Sequence, residues 1–199
     1  MKYFYKLFAK NNKELFDKSN LFWSWIGSFL GLLAIAFFHK NFLGDLDLSL
    51  VLGSFGASAV LIYGAVNSPL AQPKNLIGGH LISAFVGVSC YKLFSGDLLL
   101  ASSIAVATSI LFMQLTFTLH PPGGATALIA VVGTSQVHDL GYLYLLVPVL
   151  SGTIILFLIA FIVNNIPKNR TYPQNYKSHY KKYYQRYKRK SLKRKRSKN

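Results

Sequence analysis

Between Leu21 and Val163 the chain carries only Lys40, Lys74 and Lys92 against Asp45, Asp47, Asp97 and Asp139, with no arginine and no glutamate. A water-soluble domain covers its helices with charge, since soluble surfaces run to roughly 25–35% charged residues. That cover is missing here, so the segment reads as a membrane domain. The charge lies at the ends: the net charge is +16, and fourteen of the 22 Lys and Arg residues follow Val163.

Four apolar runs, 21–38, 76–94, 98–119 and 140–163, have the roughly 17–25 residues that cross a ~30 Å hydrocarbon core. The first follows twenty residues of mixed polar chain and leads into HKNFLGD, so it is predicted to be a span and not a cleaved signal. The single cysteine, Cys90, falls inside a span, which excludes a disulfide framework or a cysteine metal site. Five lysines precede Leu21 and the 41–47 loop is acidic. The positive-inside bias therefore places both termini in the cytoplasm, with an even number of crossings.

Two further apolar stretches, 50–66 and 124–133, are short or broken by glycine, and aligning them exposes a match. GASAVL at 56–61 and GATALI at 124–129 agree, identically or conservatively, at a constant offset of 68 residues. Each lies between a span and a polar linker (67–75 and 134–139) that leads to another span. The expected fold is all-α integral membrane: four full transmembrane helices plus two short broken or re-entrant helices in a two-fold internal repeat, with halves at about 21–94 and 98–163. Residues 1–20 form a cytoplasmic amphipathic segment, with Phe4, Leu7, Phe8 and Leu15 on one helical face and Lys2, Lys6, Lys10 and Lys13 on another. Residues 164–199 form a basic, disordered cytoplasmic tail.

The sequence TLHPPGGATAL at 118–128 interrupts the apolar pattern most sharply. Pro121 and Pro122 end one helix and suit the start of the next. Gly123 and Gly124 are expected to leave that new N-terminus, with its unpaired N–H groups, open to a polar partner. Thr116, Thr118, His120 and Thr126 surround this break, while Ser54, Ser58, Asn67 and Ser68 flank the other copy at Gly56. Neither short segment contains a carboxylate, which leans toward anionic or neutral cargo. Two readings of the histidines stay open, a junction-locking hydrogen bond and a transport role. Small residues every four positions (Gly79, Ser83, Gly87 and Ala101, Ala105, Ser109) suit close helix packing.

LHPPGGATAL at 119–128, GASAVL at 56–61 and SPLAQPKNLIGGHLISAFVGV at 68–88 together resemble the HPP family of integral membrane proteins, named for its histidine-proline-proline motif. The resemblance covers roughly 23–163 and implies four-span membrane proteins, some organellar members of which are implicated in nitrite transport. Residue by residue it marks His120, Pro121, Pro122, Gly123 and Gly124 as the signature. Ser68, Pro69, Gln72, Pro73, Asn75, Gly78, Gly79 and His80 form a second block, structural or binding. Some relatives append a CBS-type module where this chain has its basic tail, so regulation of that kind is not expected.

The function expected is therefore passage of a small solute, an inorganic anion such as nitrite, past half-helix N-termini, with His120, Pro121, Pro122, Gly123, Gly124, Thr126, Gly56, Ser58, Asn67 and Ser68 as substrate-binding residues. No catalytic residue, metal or cofactor is assigned, and the chain is not read as an enzyme. Partners are the bilayer, anionic lipid head groups for the tail, the solute and a second copy of the chain; nucleic acid ranks below lipid for the tail. The most economical setting is a bacterial inner membrane. Rival classes are a membrane anchor presenting the tail and a haem-binding electron carrier with paired histidines. Labelling of a cysteine placed in 67–75 separates four crossings (external) from six (cytoplasmic).

Overall fold

The computed structural model describes residues 17–43 and 49–174. The amphipathic segment up to residue 16, the acidic loop and the tail beyond 174 lie outside those residues, as do the expectations attached to them. Among the described residues every regular element is helical: α1 (Lys18–Phe42), α2 (Ser49–Ala59), α3 (Pro73–Phe94), α4 (Leu98–Leu115), α5 (Pro121–Val132), α6 (Ser135–Leu140) and α7 (Ser151–Val163). A π-helical turn at Val60–Gly64 continues α2, and a 3-10 stretch (Gly141–Leu145) and a second π turn (Leu146–Leu150) join α6 to α7. Four helical runs are long and apolar enough to cross a membrane, Lys18–Phe42, Pro73–Phe94, Leu98–Leu115 and Ser135–Val163, with Val51–Gly64 and Pro121–Val132 shorter. Four long helices and two short ones were expected.

Local chemistry sets the ends. The Asp17 carboxylate caps α1 through Ser19 N, and Asp97 caps α4 through Leu99 N and Leu100 N. α4 stops at Leu115, four residues before the expected end, and Pro121 holds the residue before it, His120, extended (φ −140°, ψ 104°) ahead of α5. It closes in a Schellman motif: Thr118 N donates to Met113 O at 2.8 Å and Phe117 N to Gln114 O at 3.2 Å, with Phe117 left-handed at φ 57°.

Contacts at the two ends show that the helical runs alternate in direction. Asn169 donates to Asp17 and Asn20 at the start of α1, Arg170 reaches Tyr63 O at the end of α2, and Asn75 near the start of α3 donates to Leu119 O just before α5. Tyr91 at the other end of α3 stacks on His138 of α6, with centroids 3.7 Å apart. One end of the bundle thus gathers the starts of α1, α3 and α5 and the ends of α2, α4 and α7. α3 is central, packing against α4, α5, α7 and the 3-10 stretch. α5 begins deep: His120 meets Gly79, six residues along α3, which at 1.5 Å per residue is about 9 Å below that helix's start.

Two boundaries differ from expectation. GASAVL does not open a half-helix, since α2 starts at Ser49, seven residues before Gly56, and the hexad's last two residues pass into the π turn; no proline precedes Gly56 to break the helix there. Residues 164–174 are not loose chain. Asn165 and Tyr172 bond each other in both directions, Tyr172 Oη donates to Ala71 O at 2.9 Å, and Gln174 bonds Gln72 and Asn67. Burial pushes the Tyr172 hydroxyl above its ordinary range, which keeps it protonated as a donor. Arg170 donates to Asn20 O, Asn20 Oδ1 and Ser24 Oγ, so this strap ties the start of α1 to the 65–75 linker.

Candidate functional site

The site is built where α5 begins. Without side chains at Gly78 and Gly79, the 118–120 segment lies directly on α3: a Cβ at Gly78 would stand 2.7 Å from Thr118 Cγ2, and one at Gly79 2.6 Å from His120 Cβ and 2.8 Å from the Thr118 carbonyl. Gly123 serves the same approach, because its Cβ would fall 2.7 Å from Ser83 Oγ and 3.0 Å from Gly79 O. His80 and His120 are consequently brought together, with ring centroids 5.0 Å apart and neither exposed.

A single hydroxyl from α2 joins them. Ser58 Oγ lies 2.7 Å from His80 Nε2 and 2.9 Å from His120 Nε2. The far nitrogens are also paired: His80 Nδ1 with Thr126 Oγ1 at 2.6 Å, and His120 Nδ1 with Leu70 O at 2.8 Å. Ser54 Oγ completes the cluster at 3.2 Å from Thr126 Oγ1, and Tyr144 Oη donates to Thr126 O. Ser54, Ser58, His80, His120 and Thr126 are all buried. None of the side chains bonded in the cluster is Asp, Glu, Lys or Arg, so it is a polar site with no fixed charge.

The SPLAQP block positions the Leu70 carbonyl. Ser68 Oγ accepts from Leu70 N and opens a 3-10 turn, Pro69–Ala71, while Gln72 Nε2 donates to Val66 O and Ser68 O. Pro73 starts α3, and Asn75 Nδ2 holds Leu119 O at 2.8 Å. These residues orient the site without entering it. Asn67 is exposed and accepts from Gln174, outside the cluster. Gly56 meets no atom within 4 Å of a would-be Cβ, and Gly124 meets only Val106 Cγ1 at 3.8 Å. Pro121 is exposed and Pro122 buried.

The backbone amides at the α5 start behave differently from expectation. Prolines at the first two helical positions have no N–H, and Gly123 N donates to His120 O at 2.8 Å. The helix start therefore leaves little donor capacity, and the polar groups that converge are side-chain hydroxyls and imidazoles. Tyr144 was not legible as a site residue, because a tyrosine in an apolar run carries no spacing signal. Nor was the Leu70 carbonyl, since no sequence pattern marks a backbone oxygen. His39 near the end of α1 is buried with both ring nitrogens unpaired.

The comparisons with known proteins bear on the same elements. No solved structure matches the chain. Two transmembrane proteins of Dictyostelium discoideum are each 44% identical to it over 151 residues, which is 74% of this chain and 53% and 48% of theirs. The chain thus spans about half the length of these curated relatives. The family model for the HPP transmembrane region matches residues 13–173, taking in every described helix and the strap up to Pro173, and the chain accordingly belongs to the HPP transmembrane-region family of membrane proteins.

Proposed function

We propose that this protein passes a small solute across the bilayer, an inorganic anion such as nitrite, with the Ser54, Ser58, His80, His120 and Thr126 cluster as its central site. The observation that carries the reading is the cluster itself: two imidazoles and three hydroxyls, fully buried, hydrogen-bonded only to one another and to backbone carbonyls. Intramembrane polar side chains are costly and mark solute pathways or relays. Hydroxyl and imidazole N–H groups are donors suited to an anion, and no carboxylate opposes one. A π turn at Val60–Gly64 begins two residues beyond Ser58. π turns concentrate at functional sites, and this one is where the closed cluster would open.

Both ends of the described chain gather at one end of the bundle, which supports an even number of crossings. The 67–75 linker lies at that same end. We therefore favour six crossings, with both termini and this linker cytoplasmic. A cysteine at Asn67 is then labelled from the cytoplasmic side. Haem ligation has less support, because all four ring nitrogens of His80 and His120 already have partners.

The test is uptake of nitrite, nitrate, formate and chloride into proteoliposomes. Uptake of at least one anion, abolished by Ser58→Ala, is expected. Absence of uptake for all four, or uptake unchanged in Ser58→Ala, overturns the reading.

A further inference from the structure

The bonds of the cluster can be assigned a direction atom by atom. Leu70 O can only accept, so His120 carries a proton on Nδ1 and, when neutral, accepts at Nε2 from Ser58. Ser58 has one proton to give, and it goes to His120 Nε2 at 2.9 Å in preference to the Ser54 carbonyl at 3.2 Å, so Ser58 accepts from His80 Nε2–H. His80 then accepts at Nδ1 from Thr126, and Thr126 accepts from Ser54. Every ring nitrogen is satisfied, and all bonds point one way, toward Leu70.

The same atoms satisfy a second arrangement that holds one proton more. With His120 protonated on both nitrogens, it donates to Leu70 O and to Ser58; Ser58 turns its proton to His80 Nε2, and His80 donates from Nδ1 to Thr126. Thr126, still accepting from Ser54, turns its own proton to the Pro122 carbonyl 3.4 Å away. The proton count closes. A proton arriving at Thr126 Oγ1 displaces that hydroxyl's proton onto His80 Nδ1, the His80 Nε2 proton passes to Ser58, and the Ser58 proton passes to His120 Nε2. Within the network four O–H or N–H bonds form and three break, the fourth breaking in the hydronium ion that delivers the proton, so one positive charge is gained.

We propose that this network takes up one excess proton and that the solute crosses together with it, the proton being the coupling ion; this rests on the transport reading above. The physical link is charge. An imidazolium alone or an anion alone in this uncharged, buried place pays a desolvation penalty, whereas the two together offset it. Each thus raises the affinity for the other, and the coupling is reciprocal.

Among the described residues, no other group bonded to the cluster carries formal charge. α4, α5 and α7 have no titratable side chain. The 141–150 segment brings Tyr144, on Thr126 O, and the π turn after α2 brings Tyr63, which donates to Leu156 O. From α1 comes His39, whose ring lies 6.4 Å from Phe55, itself 5.5 Å from His80. Lys74 and Lys92 of α3 are exposed at its two ends.

The experiment uses full-length protein in phosphatidylethanolamine and phosphatidylglycerol vesicles enclosing a pH-sensitive dye, with nitrate and chloride added because their strong parent acids do not carry protons across the bilayer. Nitrite is included after subtraction of protein-free vesicles. The expected result is internal acidification that accompanies anion uptake and an uptake rate that rises when the outside is made more acidic. His120→Gln keeps a donor and an acceptor but cannot take the extra proton, so the acidification is lost in it. Anion uptake without acidification overturns the proton coupling and leaves transport standing. Voltage-driven proton entry with no anion uptake overturns the coupling and the transport reading together, and movement of neither overturns both. The wild-type measurement decides these outcomes even where His120→Gln does not fold.

Discussion

The two matched hexads at 56–61 and 124–129 have nearly the same residues and different surroundings. At Gly56 the helix is uninterrupted, and Gly53, Gly56 and Gly64 each meet no atom within 4 Å of a would-be Cβ. Before Gly124 the chain has just turned through two prolines, and Gly123 is pressed between Ser83, Gly79 and Met113. Yet the third residues of both hexads, Ser58 and Thr126, hold the two nitrogens of the same ring, His80. Local sequence similarity thus survives as shared chemistry at one hydroxyl position; the aligned glycines Gly56 and Gly124 both have room beside them, and the close packing of the second copy comes from Gly123, whose counterpart in the first is Phe55.

Several substitutions break or sharpen that comparison. Ser58→Ala is expected to be the most damaging, since it strips the partner from two imidazoles at once and each orphaned buried group costs about 1–3 kcal/mol. Thermal unfolding in detergent reads the loss. Next comes Gly79→Ala, whose methyl group would meet the Thr118 backbone as well as His120, an overpacking cost of about 1–3 kcal/mol. Thr126→Val keeps the shape and removes the partner of one imidazole nitrogen, His80 Nδ1, and of the Ser54 hydroxyl, rather than of two imidazoles, so it should cost less than Ser58→Ala; equal melting temperatures would contradict the central place given to Ser58.

Smaller effects follow outside the cluster. Tyr172→Phe deletes only the bond to Ala71 O and is expected to lower stability by about 1 kcal/mol, with cysteine labelling at Asn67 becoming faster as the strap loosens. Gly56→Ala is expected to be neutral or stabilising by up to about 1 kcal/mol, because a helix-interior glycine with open space around it gains helix propensity from a methyl group. A clear destabilisation there would show that the first copy packs as tightly as the second.

Much of the architecture was legible in the residues. The poverty of charge between Leu21 and Val163 demanded helices that satisfy their own backbone in lipid, and run length distinguished four long segments from two short ones. His120, Thr126 and Ser58 were singled out by type and position, polar groups where hydrocarbon makes polarity costly, and His80 by the family resemblance. Their roles were not legible. The pattern of two prolines and two glycines suggested bare amides, but proline carries no N–H and Gly123 spends its own on His120 O. Asn67 and Ser68, polar and near the break, turned out to serve the strap and the Leu70 turn.

Sequence by itself determined what is local or additive: helical class, span lengths, the break before α5 and the absence of charge around it. Those follow from propensity and transfer free energy, which act residue by residue. Tertiary structure alone decided that Ser58, 22 residues from His80 and 62 from His120, would stand between them, and that a carbonyl at Leu70 would orient the whole network. Hydrogen bonds act over about 3 Å with a required direction. Whether distant groups meet at that distance depends on how closely helices approach, which Gly79 and Gly123 make possible only once α3 and α5 are packed.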